Sequence, residues 1–199
     1  MLLPHLTQEP CMKLHFMILL IFAFSFNGIA RDNHGGHEKW EYLLVDTGDI
    51  LQIAIPLSAE LISLYEKDYY GAKKILLSYC TNLFISYSLK YLIIKQRPEG
   101  RNKYDSFPSG HTSSAFSGAS IIHTRYGWKY GLPAYILAGI VGISRMEGPD
   151  GFHDGWDVIG GAAVGIGSTY LFNKSPWKKI NIGFANANNM KVLSLNYNF

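Results

Sequence analysis

The sequence is poor in cysteine and in charge. Only Cys11 and Cys80 occur among 199 residues, and Asp, Glu, Lys and Arg together make up 17%. With Cys11 in a stretch read below as lying outside the mature chain, no disulfide framework is possible. Cys80, inside an apolar helical run, reads as a small core residue. A charged share below the roughly 25% of an ordinary soluble domain excludes intrinsic disorder. The net charge of +3 and the lack of a concentrated basic run argue against a nucleic-acid partner. Long apolar runs are scarce as well. Gln52, Glu60, Asn82, Lys90 and several glycines interrupt the apolar stretches of the body, and mean hydropathy is only +0.04. What is present, 48% hydrophobic and 14% aromatic residues, leaves two classes: a small helical membrane protein or a compact exported one. At roughly 150 residues per domain, the length fits one domain.

Residues 1–11 fit neither a signal nor a helix. Met12-Lys13 then supplies a charged start, residues 16–26 form an apolar run with Ser25 its one polar residue, and residues 27–30 offer the small Gly28 and Ala30 before Arg31-Asp32. That is the order of a secretory signal. The run is shorter than the roughly 20 residues a membrane span needs. Residues 1–30 are therefore read as an extension plus a cleaved signal, with an uncleaved first membrane helix as the alternative. Residues 31–45 read as a linker, in which His34 and His37 are solvated rather than metal-bound.

The body, 46–173, reads as all-α. Asp46-Thr47-Gly48-Asp49 offers side chains that accept free amide N–H groups, which predicts a helix start there. Helices are expected over 50–68, 72–96 (ending before Pro98), 109–125, 131–145 and 154–172. Gly160, Gly161, Gly165 and Gly167 would permit close packing of the last. The pattern predicts a bundle of five to six helices. Residues 174–199 alternate around Asn188-Asn189 and predict a small C-terminal β-hairpin. Lys67, Lys73 and Lys74, then Arg125 and Lys129, then Lys174, Lys178 and Lys179 fall on one side of a serpentine topology. This agrees with the positive-inside rule and puts the polar loops, 97–108 and 146–153, on the outer side.

Three clusters at helix ends face those loops. Lys90 and Arg97 are two helical turns apart, hence on one face of a continuing helix. Ser109, followed by Gly110 and His111, opens a helix and exposes backbone N–H groups to an anion. Ser144-Arg145 precedes His153 and Asp157, which are four residues apart, so Asp157 can accept a hydrogen bond from the His153 ring. That bond would fix the tautomer and favour the imidazolium. Three cations, a helix N-terminus, two histidines and a carboxylate are the parts that displacement at phosphorus requires.

Lys90–Pro98 (Lys, six residues, Arg-Pro), Pro108–His111 (Pro-Ser-Gly-His) and Ser144–Asp157, in this order, resemble the three motifs of the type 2 phosphatidic-acid phosphatase superfamily. Bacterial non-specific acid phosphatases and vanadium haloperoxidases belong to it too. The resemblance covers about residues 45–172 and implies the following roles. Lys90, Arg97 and Arg145 would bind phosphate oxygens, with Ser109 and the Gly110 backbone. His153 would be the nucleophile, Asp157 would orient it, and His111 would be the general acid. No metal or cofactor is implied. The reaction implied is hydrolysis of phosphate monoesters or pyrophosphates of lipids through a phosphohistidine. The setting would be the inner membrane with the site facing the periplasm, or the periplasm itself. A vanadate-dependent haloperoxidase and an inactive envelope protein are the alternatives. One departure stands out. Seven residues, 146–152, separate Arg145 from His153 where the family has five, so the loop must either bulge or displace the histidine.

Overall fold

A computed structural model describes residues 38–98, 102–148 and 152–173 in full, together with the backbone of 180–187 and 190–197. The segment read as a signal (1–30), His34, His37 and Lys174, Lys178 and Lys179 lie outside the described residues. Five helices are described: α1 (Lys39–Tyr65), α2 (Tyr69–Leu92), α3 (Gly110–Tyr126), α4 (Trp128–Met146) and α5 (Gly155–Asn173). Strands β1 (Ile180–Ala187) and β2 (Met190–Tyr197) then pair antiparallel, from Ile180 opposite Tyr197 to Ala187 opposite Met190. The all-α bundle expected from the sequence is the fold observed.

Two boundaries and one core assignment differ from expectation. α1 begins at Lys39 rather than at Asp46, so the end of the supposed linker is helical. Gly48 does not mark a start. It is a point of close approach, since a Cβ there would collide with the Ser144 side chain. α2 stops at Leu92, four residues earlier than expected, and Ile93 is extended. The chain leaves the helix to pair with the following loop: Ser106 N donates to the Lys95 carbonyl at 3.1 Å and Arg97 N to the Lys103 carbonyl at 2.9 Å. Cys80 is exposed on the outer side of α2, not in the core.

α3 is the central element and packs against all four other helices. Its sequence explains why. Ser113, Ser114, Ala115, Ser117, Gly118, Ala119 and Ser120 are all buried, and side chains this small let neighbouring backbones come close. A Cβ on Gly118 would lie 2.5 Å from Pro56 N of α1, and one on Gly161 of α5 would lie 2.5 Å from the Ser109 carbonyl. Two of these serines satisfy their hydroxyls on nearby backbone: Ser113 Oγ donates to the Gly110 carbonyl at 2.9 Å and Ser114 Oγ to the Gln52 carbonyl at 2.8 Å. Around α3 the apolar core gathers Leu51, Ile55, Ile75, Ile121, Ile122 and Val141.

The up-and-down order brings the starts of α3 and α5 and the ends of α2 and α4 to one end of the bundle. The described residues of both predicted polar loops lie at that end. Among the described residues, one helix, α1, is long and apolar enough to cross a membrane by length and composition.

Candidate active site

The three sequence clusters meet. A cavity of about 590 Å³ is lined by Lys90, Arg97, Gly110, His111, Arg145 and His153, together with Asp49 and Asp105. Each side chain is brought there by a different local device. Lys90 sits in the last turn of α2. Arg97 reaches the cavity from the extended segment beyond the helix, not from a shared helical face. Its Nε and Nη2 donate to the two carboxylate oxygens of Asp105 at 2.8 and 3.2 Å. Lys90 Nζ donates to the Asp105 carbonyl at 2.6 Å. One residue of the 102–109 segment thus holds two of the cations, and the hydrogen bond from Arg97 keeps the Asp105 carboxyl below the usual carboxylate range.

Arg145, only 3% exposed, ends α4. Its Nε, Nη1 and Nη2 donate to Ser144 Oγ at 3.2 Å, Asp49 Oδ1 at 2.9 Å and the Val45 carbonyl at 2.9 Å. The Phe152 ring lies 5.4 Å from the guanidinium carbon, a cation–π distance. Gly110 and His111 open α3. The capping hydroxyl is that of Ser109, which accepts from Thr112 N at 3.5 Å and Thr112 Oγ1 at 2.9 Å. Ser109 is fully buried and does not line the cavity. Of the side chains expected to touch phosphate, it is the one turned inward.

His153 is 6% exposed and sits just before α5. Its Nδ1 lies 3.3 Å from Asp157 Oδ2. With Nδ1–H donating to the carboxylate, Nε2 carries the free lone pair. The longer third motif does not displace the ring. Phe152 N and His153 N both donate to the Arg145 carbonyl at 3.1 Å, so the chain returns to the arginine before α5 begins and His153 lines the same cavity as Arg145. Asp157 favours the imidazolium, as expected from the sequence, but it does not decide the charge of the ring. Burial, with Lys90 nearby, outweighs Asp157 and pushes the His153 pKa down to about 4. The ring is therefore neutral at ordinary pH, the form a nitrogen nucleophile needs.

Four polar residues of this network had no motif signal. Asp49 accepts from both Arg145 and His111, the latter at 3.2 Å from Nε2. Asp105 holds Arg97. Ser106 donates to Asp157 Oδ2, and Lys95 Nζ donates to Asp157 Oδ1 at 2.8 Å and to Asp154 Oδ2 at 2.6 Å. The one available clue was charge balance, since three cations converging on a partly buried site need nearby acceptors when no anion is bound.

A family model described as the PAP2 superfamily matches residues 71–181, more than half of the chain. The chain belongs to the PAP2 superfamily. It is a phosphoric ester hydrolase of the PAP2 type. The lipid A 4′-phosphatase of Helicobacter pylori is 30% identical over 141 residues, which are 66% of this chain and 70% of that protein. The lipid A 1-phosphatase of Porphyromonas gingivalis is 41% identical over 80 residues, 39% of this chain but only 17% of that protein. Two crystal structures share the fold. Aquifex aeolicus LpxE superposes with a TM-score of 0.59 at 20% identity, over 84% of this chain and 98% of that one. The PAP2-type phosphatidylglycerolphosphate phosphatase of Bacillus subtilis gives 0.53 at 22%, over 85% and 96%. Within this PAP2 chain, Asp49 lies on α1, outside the matched residues 71–181.

Proposed function

We propose that the protein removes phosphate from lipid A at a membrane surface, through a phosphohistidine formed on His153. The observation that carries the reading is the meeting of Lys90, Arg97 and Arg145 with the neutral imidazole of His153 in one cavity, at one end of an apolar bundle. The three cations would hold the non-bridging phosphate oxygens. Nε2 of His153 would attack phosphorus in line, forming the N–P bond as the P–O ester bond breaks. His111 would give its proton to the departing sugar oxygen. A water, with its proton returned to His111, would then attack the phosphohistidine and release inorganic phosphate.

The bundle's outer surface supports a lipid setting. Ile53, Leu57, Leu76, Phe84, Ile136 and Ile159 are exposed along the helices. Exposed aromatics sit at both ends: Trp40, Tyr91 and Trp156 beside the site, Tyr65, Tyr69, Tyr70 and Trp128 opposite. Two aromatic belts around an apolar band are the pattern of a membrane-embedded chain. Lys67, Lys73, Lys74, Arg125 and Lys129 belong to the opposite end, which by the positive-inside rule is cytoplasmic, leaving the site on the periplasmic side. The 4′ position of lipid A is the first to test, because the 4′-phosphatase aligns with 66% of the chain against 39% for the 1-phosphatase.

The test is phosphate release from lipid A in detergent micelles, with the lipid product analysed by mass spectrometry. Loss of the 4′-phosphate is expected, and its abolition by His153→Ala, at a cost on the order of 10⁵-fold or more. Undiminished release by the folded variant would refute the mechanism. Release from phosphatidic acid but not from lipid A would refute the substrate.

A further inference from the structure

The Asp157 carboxylate is fully buried, and its two oxygens have distinct partners. Oδ2 accepts from Ser106, from Asp154 N at 3.2 Å and from the His153 ring. Oδ1 accepts from Lys95 Nζ at 2.8 Å. A buried carboxylate with only neutral donors would draw a proton toward its nearest titratable neighbour, which is His153. Lys95 stands against that. It is about one-third exposed on its side chain and bridges Asp157 to Asp154. It does not line the cavity, so it is not placed to touch a phosphate. Its own backbone is anchored, because Ser106 N donates to its carbonyl at 3.1 Å. The segment that supplies Ser106 to Oδ2 is thereby tied to the residue that supplies the ammonium to Oδ1.

We infer that Lys95 is a positioning residue for the nucleophile: its ammonium clamps the Asp157 carboxylate against the His153 ring and compensates its charge, so that Asp157 orients the imidazole without protonating it. The inference rests on His153 being the nucleophile. The charged groups facing His153 are Lys90 and Arg97 across the cavity, and Asp157 and Asp154 with Lys95 behind. Arg145 contributes its carbonyl, which accepts from His153 N. Of these, Lys95 is the cation bonded directly to the orienting carboxylate. Asp154 competes for it from the other side, and also caps α5 by accepting from Asp157 N at 3.0 Å, a contact that asparagine at 154 would keep.

The experiment uses the full chain in detergent micelles and follows inorganic phosphate release from lipid A between pH 3 and 8. Melting temperatures are recorded alongside. Lys95→Gln should move the acid limb of kcat/KM up by about one pH unit, since His153 then faces an uncompensated carboxylate. Lys95→Arg should return the limb toward the wild-type position. Asp154→Asn, which leaves Lys95 to Asp157 alone, should move it down. A merely structural lysine would lower activity or melting temperature with the limb in place. A Lys95→Gln limb that coincides with the wild-type one overturns the inference, as does an Asp154→Asn limb that rises or stays, the deciding variant if Lys95→Gln does not fold. The same shifts are read without turnover from the His153 imidazole by ¹³C NMR with labelled histidine, the signal being assigned by its loss in His153→Ala. A chain that titrates as stated but releases no phosphate from lipid A would sink the proposed activity, and with it the catalytic meaning of Lys95, while leaving its electrostatic control of the His153 ring shown.

Discussion

Asp49 Oδ1 lies 2.9 Å from Arg145 Nη1 and 3.2 Å from His111 Nε2. One oxygen of α1 therefore fixes both the proposed phosphate-binding arginine of α4 and the proposed general acid of α3. Removing its charge should misplace the acid more than it weakens anion binding, because the positive potential of the cavity rises when a carboxylate is lost. Asp49→Asn is expected to lower kcat on the order of 10²-fold while KM does not rise. Steady-state kinetics on lipid A micelles check this; a raised KM with unchanged kcat would show that Asp49 serves binding instead.

How much of this was legible beforehand depended on how local each contact is. Ser109 as the cap of α3 and the i, i+4 pair of His153 and Asp157 are short-range relations, and both are present in the structure. The motif cations were recognisable by residue type and order. Asp49 and Lys95 were not, because each matters through a partner distant in the chain, 96 residues away for Asp49 and Arg145 and 62 for Lys95 and Asp157; Asp105 is only eight residues from Arg97, but no helical or strand spacing relates the two. The end of α2 misled for the same reason. Residues 93–96 are good enough for a helix, but Lys95 and Arg97 find backbone partners in 103–106, and that tertiary pairing wins over local propensity. Asp46-Thr47-Gly48-Asp49 reads as a helix start because its side chains can accept free amide N–H groups; in the structure it lies inside α1, where Gly48 makes room for Ser144.

Asp157 offers a sharper test of tautomer control. Its Oδ2 holds the Nδ1–H of His153, so the attacking lone pair stays on Nε2. Asp157→Asn keeps the size and the Lys95 neighbour but can present an N–H to Nδ1, which would shift the ring proton to Nε2. A fall of about 10³–10⁴-fold in kcat is expected, with KM little changed, by analogy with the loss of the orienting carboxylate in serine proteases. Less than a tenfold fall would mean that the hydrogen bond does not set the tautomer.

The depressed proton affinity of His153 has consequences for pH. Below a pKa of about 4 the ring is protonated and cannot attack, so the acid limb of kcat/KM should lie near pH 4 rather than near the 6.5 of an ordinary histidine. Stability should follow the same group. Between pH 6.5 and 4 the unfolded chain binds a proton on this histidine that the folded chain refuses. The contribution is therefore complete above about 6.5 and is lost as pH falls through 4, by about 3 kcal/mol in all. Replacing the ring in His153→Gln should flatten that part of the stability curve. Chemical denaturation at pH 7 and pH 4.5 measures the difference, and equal pH dependence in the two proteins would contradict it.

The proposed membrane setting rests on the exposed apolar band and its aromatic ends. The chain is expected to stay in the pellet after a carbonate wash and to need detergent for release. Recovery in the supernatant would place it among peripheral or soluble proteins and would remove the argument that the substrate's acyl chains share a bilayer with the bundle.

Gly161 couples packing to chemistry. A Cβ at this position would lie 2.5 Å from the Ser109 carbonyl and 3.1 Å from Thr112 Cβ. That carbonyl accepts from Ser113 N at 3.0 Å and starts α3, and Ser109 N donates to the Asp157 carbonyl at 2.9 Å. The obstacle is backbone, so relief requires α5 to move away from α3. Such movement would separate Asp157 on α5, and His153 just before it, from Gly110 and His111, which ride on α3. Gly161→Ala is therefore expected to cost about 1–3 kcal/mol of stability, as overpacking does, and to lower kcat at temperatures where the variant is still fully folded. Gly167, also on α5, has no atom within 4 Å of its would-be Cβ, so Gly167→Ala controls for the added methyl and for the gain in helix propensity. It should melt no lower than the wild type and keep its activity. If both alanine variants behave alike, the close α3–α5 approach does not hold the two halves of the site together.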